Sequence, residues 1–521
     1  MAADGTRTKR RSRRQGGRAA NTRRVATAIK QLPWGVPHNS DAPTEPLDDD
    51  AVNAIHDGAM RVLEEIGIEF LHDGAKQVLA KAGCKVVPGS DNVRMDRGFV
   101  MEQVRKAPAT FDITPRNPAR TVRVGGNCML FGNVGSPPNC SDLDRGRRVG
   151  DRKSYRDLIR LSQYFNCIHM IVGYPVEPVD IHPSIRHLDC IHDALTLSDK
   201  ALHAYSLGRE RIEDAMEMVR IAAGLTPEEF DTDPRMFTNI NSTSPLKVDF
   251  NMLDGPMRMA RRGQPVIVTP FTLAGAMAPV TLAGAVAQQT AEALAVIALL
   301  QTINPGVPVV YGSFTSNVDM SSGAPAFGTP EYLRATQMSG QMARFYGLPL
   351  RASNACAANC PDAQAAWESA FSLWACVSAG VNVVYHAAGW LEGGLCASYE
   401  KFIMDCETLQ QVMHYLEPVP VGADDLALDA IREVGPDGNF FGASHTLERY
   451  ENAFYQPFLS DLNNFETWEE RGSIRTPERA NRIWKQILDE FEPPPLDTAI
   501  REELEAFVAR RKEEGGAPTD F

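Results

Sequence analysis

Eight short runs of apolar and β-branched residues recur between residues 128 and 388, and nothing else in the chain restricts its fold as much. They are "CMLFGNV", "IHMIVGY", "ALHAYSL", "MFTNINS", "PVIVTPF", "VPVVYGS", "LPLRASN" and "VNVVYHA", beginning near residues 128, 168, 201, 236, 265, 307, 348 and 381. Gaps of about 28 to 43 residues hold a strand, a loop, a helix and a return loop. Helical patterns fill them, such as "DRKSYRDLIRLSQYF", "ERIEDAMEMVRIAAG" and "DAQAAWESAFSLWACVSAG", and several stop at Gly shortly before the next run, as helix C-termini prefer. Eight strands alternating with eight helices predict an α/β chain built as a (β/α)8 TIM barrel. An open doubly wound sheet is the competing arrangement. It more often opens on a Gly-rich dinucleotide loop, and the glycines of "RVGGNCMLFGNVGS" start no helix.

The barrel is expected over residues 126–416. Before it come a basic, largely disordered arm (1–46) and an N-terminal helical and α+β extension (47–125), and after it a C-terminal α+β cap with a helical tail (417–521). The arm holds "TRTKRRSRRQGGRAANTRR" although the net charge is −13. The remainder is therefore more acidic than the total, which argues against nucleic acid as its partner. The arm itself reads as a solubilising tail, or as a contact for RNA, an acidic partner or a membrane surface. It is Arg-rich like an organelle presequence but shows no amphipathic apolar face, and no apolar stretch follows it as a secretory signal requires. "TLAGAVAQQTAEALAVIALL" comes nearest to a membrane span, but Gln288, Gln289 and Glu292 break it, so a buried helix is expected and no membrane association. Ten scattered cysteines fit free thiols in a reducing cytoplasm. A homo-oligomer is expected.

Reactive groups of such barrels sit at the C-terminal strand ends and in the loops after them. Those positions hold Asn133 and Ser136, Tyr174 and Glu177, Tyr205, then Asn239, Asn241 and Ser244. The later strands give Thr269, Phe271 and Thr272; Tyr311, Ser313, Phe314 and Asn317; Ser353, Asn354 and Asn359; and Tyr385, His386, Trp390 and Glu392. The set is polar and aromatic, with Lys and Arg nearly absent. Either the rings are barrel packing, or they line a pocket for a compact cation, held at about 0.5 to 2 kcal/mol per ring face. Phosphorylated sugars fit badly, because they want helix N-termini with Lys or Arg. Cys356 and Cys360 form a C-x3-C pair, weak evidence for zinc when the other strand-end candidates are only His386 and Cys396. No tightly bound metal is expected, and the thiols read as buried and free. His386 ends an apolar strand and runs into "AAGWLEGG", where Gly389, Gly393 and Gly394 allow close backbone approach.

Four segments carry a resemblance: "TPFTLAGAMAPVTLAGAVAQQTAEALA", "VYGSFTSNVDMSSGAPAFGTPEY", "SNACAANCPDAQAAWES" and "HAAGWLEGGLCASYEKFIMD". They are similar, in order, to signature segments of the trimethylamine methyltransferase family, and the similarity runs from about residue 47 to about 490. The resemblance implies a TIM barrel that moves a methyl group from an amine to the cobalt of a corrinoid carried by a separate protein. Founding members of that family carry pyrrolysine in the loop before the "DAQA" segment, and Asn359 stands at that position here. An Asn amide cannot form the adduct that pyrrolysine's imine offers. The resemblance therefore implies a quaternary amine such as glycine betaine, whose leaving group is already a neutral amine.

In the expected in-line displacement, Trp390, Tyr385, Tyr311 and Phe314 hold the cation, and Asn359, Asn354 and His386 bind a carboxylate. Glu392 offsets the ammonium charge, and Tyr174, Asn239 and Asn133 complete the substrate site. His386, Glu392 and Asn359 are the catalytic candidates. Three alternatives stay open: methyl transfer to another acceptor such as tetrahydrofolate, a lyase or hydrolase using Glu177 and Glu392, and a non-catalytic betaine-binding barrel.

Overall fold

The protein is described from a computed structural model covering residues 29–519. Each of the eight runs carries a strand: β1 (Leu130–Asn133), β2 (Met170–Ile171), β3 (Ala201–Leu202), β4 (Thr238–Ile240), β5 (Val266–Val268), β6 (Val309–Gly312), β7 (Leu350–Ser353) and β8 (Val383–Ala388). They pair in parallel in chain order, and β8 returns to β1 through Leu130 and Val383. The edges β3 and β4 meet at a bridge between His203 and Phe237. Eight helices alternate with them: α1 (Arg152–Tyr164), α2 (Pro183–Leu197), α3 (Arg209–Ala222), α4 (Asn251–Arg261), α5 (Leu282–Ile303), α6 (Pro330–Tyr346), α7 (Ala363–Ala379) and α8 (Tyr399–Tyr415). The strands read as near-continuous apolar runs because both of their faces are buried. Leu130, Ile267, Val310 and Val383 point into the barrel, while Phe131, Val309, Tyr311 and Val384 pack outward under the helices.

The N-terminal end of the barrel is plugged. A hairpin of Thr110–Ile113 with Val122–Gly125 sends Ile113, Val122 and Val124 into the interior cluster, joined by Trp34 and Val36. The Arg120 guanidinium lies 4.2 Å from the Trp34 ring and the Lys200 ammonium 5.4 Å. Lys200 also donates to Ser162 O and Phe165 O, and burial lowers its pKa to about 7. Of the expected N-terminal arm, residues 1–28 lie outside the described residues. Residues 29–46 form no helix and run along this floor through bonds such as Leu32 N to Gln410 Oε1 (2.7 Å) and Thr44 N to Ser378 O (2.7 Å).

α5 is long and apolar enough to cross a membrane, yet 78% of its central stretch is buried between the barrel and the helices Asp49–Arg61 and Arg97–Val104. Its Glu292 faces inward and gathers donors from the β4–α4 loop: Ser242 Oγ, Ser244 Oγ (2.6 Å), Leu246 N (2.9 Å) and, from its own helix, Gln288 Nε2 (2.9 Å). At the other end of the chain, Thr476–Asp489 packs on α8 and α1, and Thr498–Glu513 on α2 and α3. Residues 417–519 hold helices and turns and no strand among the described residues.

Removing the Glu292 carboxylate would strand four donors in the interior. Glu292→Ala is expected to destabilise the fold by about 2 to 4 kcal/mol, read as a lowered urea midpoint, with Glu292→Gln recovering part. An unchanged midpoint would dismiss this anchor.

Candidate active site

A cavity of about 680 Å³ opens at the C-terminal strand ends. One wall comes from β2 and β3, whose ends place Tyr174 edge-on to Tyr205 at 4.8 Å between ring centroids. The Tyr205 hydroxyl accepts from Tyr174 N at 3.2 Å. It stands where a Cβ on Gly173 would be (2.4 Å), so only glycine leaves room there. The opposite wall gathers Phe271, Phe314, Phe327 and Trp390. Phe314 stacks on Phe327 at 5.4 Å, and Trp390 meets both edge-on at 6.2 Å. Burial pushes the Tyr205 hydroxyl up to about 12 and Tyr174 well above its usual value, so the tyrosines stay neutral. The walls therefore present ring faces and no anion.

The floor carries the charge. Arg351, an inward residue of β7, is 2% exposed, and burial lowers its pKa only to about 10, so it remains a cation at neutral pH. Its guanidinium lies 4.4 Å from the Tyr385 ring and 5.2 Å from the Phe314 ring, and Nη1 donates weakly to Ser313 O at 3.3 Å. Its Nε has no partner, and no carboxylate among the described residues pairs with it. Around it the Tyr385 hydroxyl is also buried without a partner, as are both ring nitrogens of His203, which lies beside the Asn239 backbone.

His386 completes the floor. Backbone pairing between β8 and β1 shifts register between Val384 and Ala388, and His386 adopts a left-handed φ of 54° within the shift. Its Nδ1 accepts from Gly135 N at 3.2 Å, so the ring proton sits on Nε2. Burial, with Arg351 next in effect, pushes its pKa well below the ordinary value, so it is a neutral donor. At the rim the Glu177 carboxylate is paired with Arg186.

Six of the expected substrate and catalytic residues line this cavity: Tyr174, Asn239, Phe314, Tyr385, His386 and Trp390. Five do not. Tyr311 is buried outside the barrel, because Val310 takes the inward position and alternation turns its neighbour out; its hydroxyl meets Gln289 Nε2 (3.0 Å) and Thr290 Oγ1 (2.8 Å) on α5. Asn133 braces β1 to β2 by accepting from Val172 N at 2.8 Å. Asn354 ties β7 to β8 by donating to Ala387 O at 3.0 Å. Asn359 is exposed, and it shares a separate surface groove with Glu392. The Glu392 carboxylate is bound by Arg147 at 2.9 Å, so its charge is already met outside the cavity.

The two cysteines of that loop diverge. Cys356 is buried, with Sγ 3.0 Å from Trp390 O, while its own carbonyl accepts the Trp390 indole N–H at 3.2 Å; Cys360 is exposed beside Asp362. No group of three or more His, Cys, Asp or Glu converges on a metal-sized site among the described residues. The expectation of a site nearly free of Lys and Arg is overturned by Arg351. The signal was present, since "LPLRASN" places one Arg inside an otherwise apolar strand. His203 in "ALHAYSL" offered the same kind of signal, whereas Phe327 reaches the wall from a loop that no strand spacing marks.

Comparison with known proteins places these residues in context. The family described as "Trimethylamine methyltransferase (MTTB)" matches residues 13–516. A glycine betaine methyltransferase of Desulfitobacterium hafniense (strain Y51) is 38% identical over 471 residues, covering 90% of this chain and 98% of that one. A trimethylamine methyltransferase of D. hafniense (strain DSM 10664 / DCB-2) is 28% identical over 473 residues, covering 90% and 94%. Among solved structures, the monomethylamine methyltransferase of Methanosarcina barkeri aligns with a TM-score of 0.52 at 9% identity, over 89% of each chain, a likeness of fold.

Burial holds His203 in the cavity and His169 at the plug near pKa 3, well below the roughly 6.5 of an unfolded histidine. The unfolded chain therefore binds protons first. Stability should be full above about pH 6.5 and decline toward about pH 3, by up to about 1.4 kcal/mol per pH unit for each histidine. Urea midpoints between about pH 7.5 and pH 5 should follow that slope, and His203→Gln should reduce it. A wild-type slope in that variant would mean the ring is not held neutral.

Proposed function

Because the chain belongs to the trimethylamine methyltransferase family, a family of enzymes, we propose that it demethylates a carboxylated quaternary amine, glycine betaine or a close analogue. The methyl acceptor in this reading is the corrinoid of a partner protein, which supplies a strongly nucleophilic cobalt. The observation that carries the reading is Arg351, a buried cation without a counter-ion beneath a wall of rings. A lone ammonium substrate would meet that cation and be repelled. A zwitterion resolves the conflict: its carboxylate accepts from Arg351, the Tyr385 hydroxyl and His386 Nε2–H, while its ammonium faces Trp390, Phe314 and Tyr174. The rings and the guanidinium are close enough for a small zwitterion, since Phe314 lies 5.2 Å from Arg351 and 6.2 Å from Trp390.

The residues then act by position and by exclusion of water. A quaternary nitrogen departs as a neutral amine, so no proton must be delivered. That agrees with a neutral His386 and with a Glu392 engaged elsewhere. The mouth beside Trp390 is formed by Gly393 and Gly394, where a Cβ on Gly394 would stand 2.7 Å from the indole. The absence of side chains there leaves the approach to a bound methyl group clear.

The spectral change of added cob(I)alamin on methylation tests the proposal across glycine betaine, carnitine, choline and trimethylamine. Carboxylated quaternary amines should react, and choline or trimethylamine turned over equally well would overturn it. Arg351→Gln should weaken binding of the carboxylated substrate by about 2 to 4 kcal/mol and strengthen that of choline, whose ammonium no longer meets the buried cation, as titration calorimetry reads. Trp390→Ala should cost about 1 to 2 kcal/mol of binding through the lost ring face; unchanged affinity would remove it from the cage.

A further inference from the structure

α8 buries an ion pair against the segment that carries Trp390. Lys401 and Asp405, at positions i and i+4, are 1% and 2% exposed, and the Lys401 ammonium is bonded to Asp405 Oδ1. Lys401 Nζ also donates to Ser369 Oγ on α7 at 2.6 Å. The other carboxylate oxygen, Asp405 Oδ2, accepts from Gly389 N at 2.9 Å. Burial pushes the Asp405 carboxyl above its usual range, and Lys401 works against that shift. Exchanging a buried ion pair for apolar groups of like volume often leaves a fold no less stable, so stability alone does not account for this one. What it holds is an unusual stretch of backbone. His386 and Glu392 keep a φ of 54° that residues with side chains rarely adopt, and Gly389, Gly393 and Gly394 are at positive φ as well. Such conformations persist where the surroundings over-determine them. Past Trp390 the loop after β7 does so: Gly393 N donates to Cys356 O at 3.1 Å and Glu392 N to Ala358 O at 2.9 Å. At Gly389 the restraint comes from α8 and its cap, with Asp405 on the N–H and Ser398 N donating to the carbonyl at 3.0 Å. A Cβ at Gly389 would stand 3.2 Å from the Phe402 ring, so the helix lies directly against this peptide.

We propose that Asp405 is a positioning residue: its carboxylate, steadied by Lys401, fixes the Gly389 peptide and through it the Trp390 ring beside His386. The two rings stand 4.0 Å apart between centroids, and Gly389 is the residue just before the indole. The inference rests on the reading of Trp390 and His386 as substrate groups. Arg351 comes from β7 and Phe314 from the segment after β6, and neither touches Asp405. They keep the zwitterion bound when Gly389 is released, so the loss falls on alignment of the methyl group and less on binding. Alignment is sensitive, since a displacement of about 1 Å can cost roughly 100-fold in rate.

Two double variants of the full chain, each without either charge, test it. Lys401→Met/Asp405→Asn keeps an oxygen for Gly389 N, whereas Lys401→Met/Asp405→Leu keeps the volume without the acceptor, and circular dichroism reports whether each is folded. With glycine betaine and cob(I)alamin, the leucine variant should lose about tenfold or more in kcat, with KM within about twofold, and the asparagine variant should recover most of the rate. Fluorine NMR of fluorotryptophan-labelled protein reads the ring with no substrate present, the spectrum of Trp390→Phe assigning its signal. That signal should shift or broaden in the leucine variant and stay in place in the asparagine variant. If the wild type turned over no betaine, the assigned reaction would fall while the fluorine signal still decided the positioning. A folded leucine variant with wild-type kcat or an unmoved Trp390 signal, or an asparagine variant as impaired as the leucine one, would overturn the proposal. Should the leucine variant not fold, Lys401→Met/Asp405→Ala takes its place under the same criteria.

Discussion

A guanidinium sealed inside a barrel without a carboxylate is the constraint around which this molecule is arranged. Burying an unpaired charge costs several kcal/mol, and among the described residues it is relieved by the rings of Tyr385 and Phe314 and one carbonyl. The strand frame holds it in place. Arg351 pairs in register with Val383 on one side and with Gly312 on the other, and Gly312 contributes no side chain to the interior. A Cβ at Gly312 would also collide with Thr269, 2.0 Å away, so the space beside the guanidinium cannot be filled from β6 without displacing β5.

The remainder of the interior is layered on that charge. Below it the interior is apolar: the hairpin, Trp34 and Val36 close the N-terminal end. Above it the strand ends change from aliphatic to aromatic, and beyond the rings the chain turns to glycine at residues 393 and 394. Charge, rings and opening therefore follow one another along the barrel axis. That order suits a molecule anionic at one end and onium at the other, and it leaves acid–base groups little to do. The neutral state of His386 follows from the same arrangement, since a second cation beside Arg351 would be driven off by burial and by like charge together.

Much of the fold was legible because its signal is local. Strand and helix alternation needs only hydrophobic runs and glycine stops, and all eight runs became strands. The site was legible where a residue's place along a strand decides its direction, as for Tyr385, His386 and Asn239. It failed where direction rests on pleat phase. Tyr311 and Val310 are neighbours of similar character, and only the sheet's register tells which faces in. Asn133 and Asn354 differ in another way: polar side chains at strand ends read as ligand contacts, whereas backbone groups of adjacent strands have first claim on them. Glu392 and Asn359 lie outside the cavity, in the separate groove: the positive-φ turn at residues 392–394 carries Glu392 there, and Asn359 reaches it from the loop between β7 and α7.

By itself the sequence determined the architecture, the family and the aromatic character of the open barrel end, because each of these follows from periodicity or from long contiguous segments. Tertiary structure alone decided which charge stays unpaired in the cavity. Arg351, Glu392, Glu177 and Arg186 look alike as letters, yet three are neutralised by one another or by Arg147, and one is left bare at the floor. Pairing of charges depends on distances between residues far apart in the chain, and no local pattern encodes those distances.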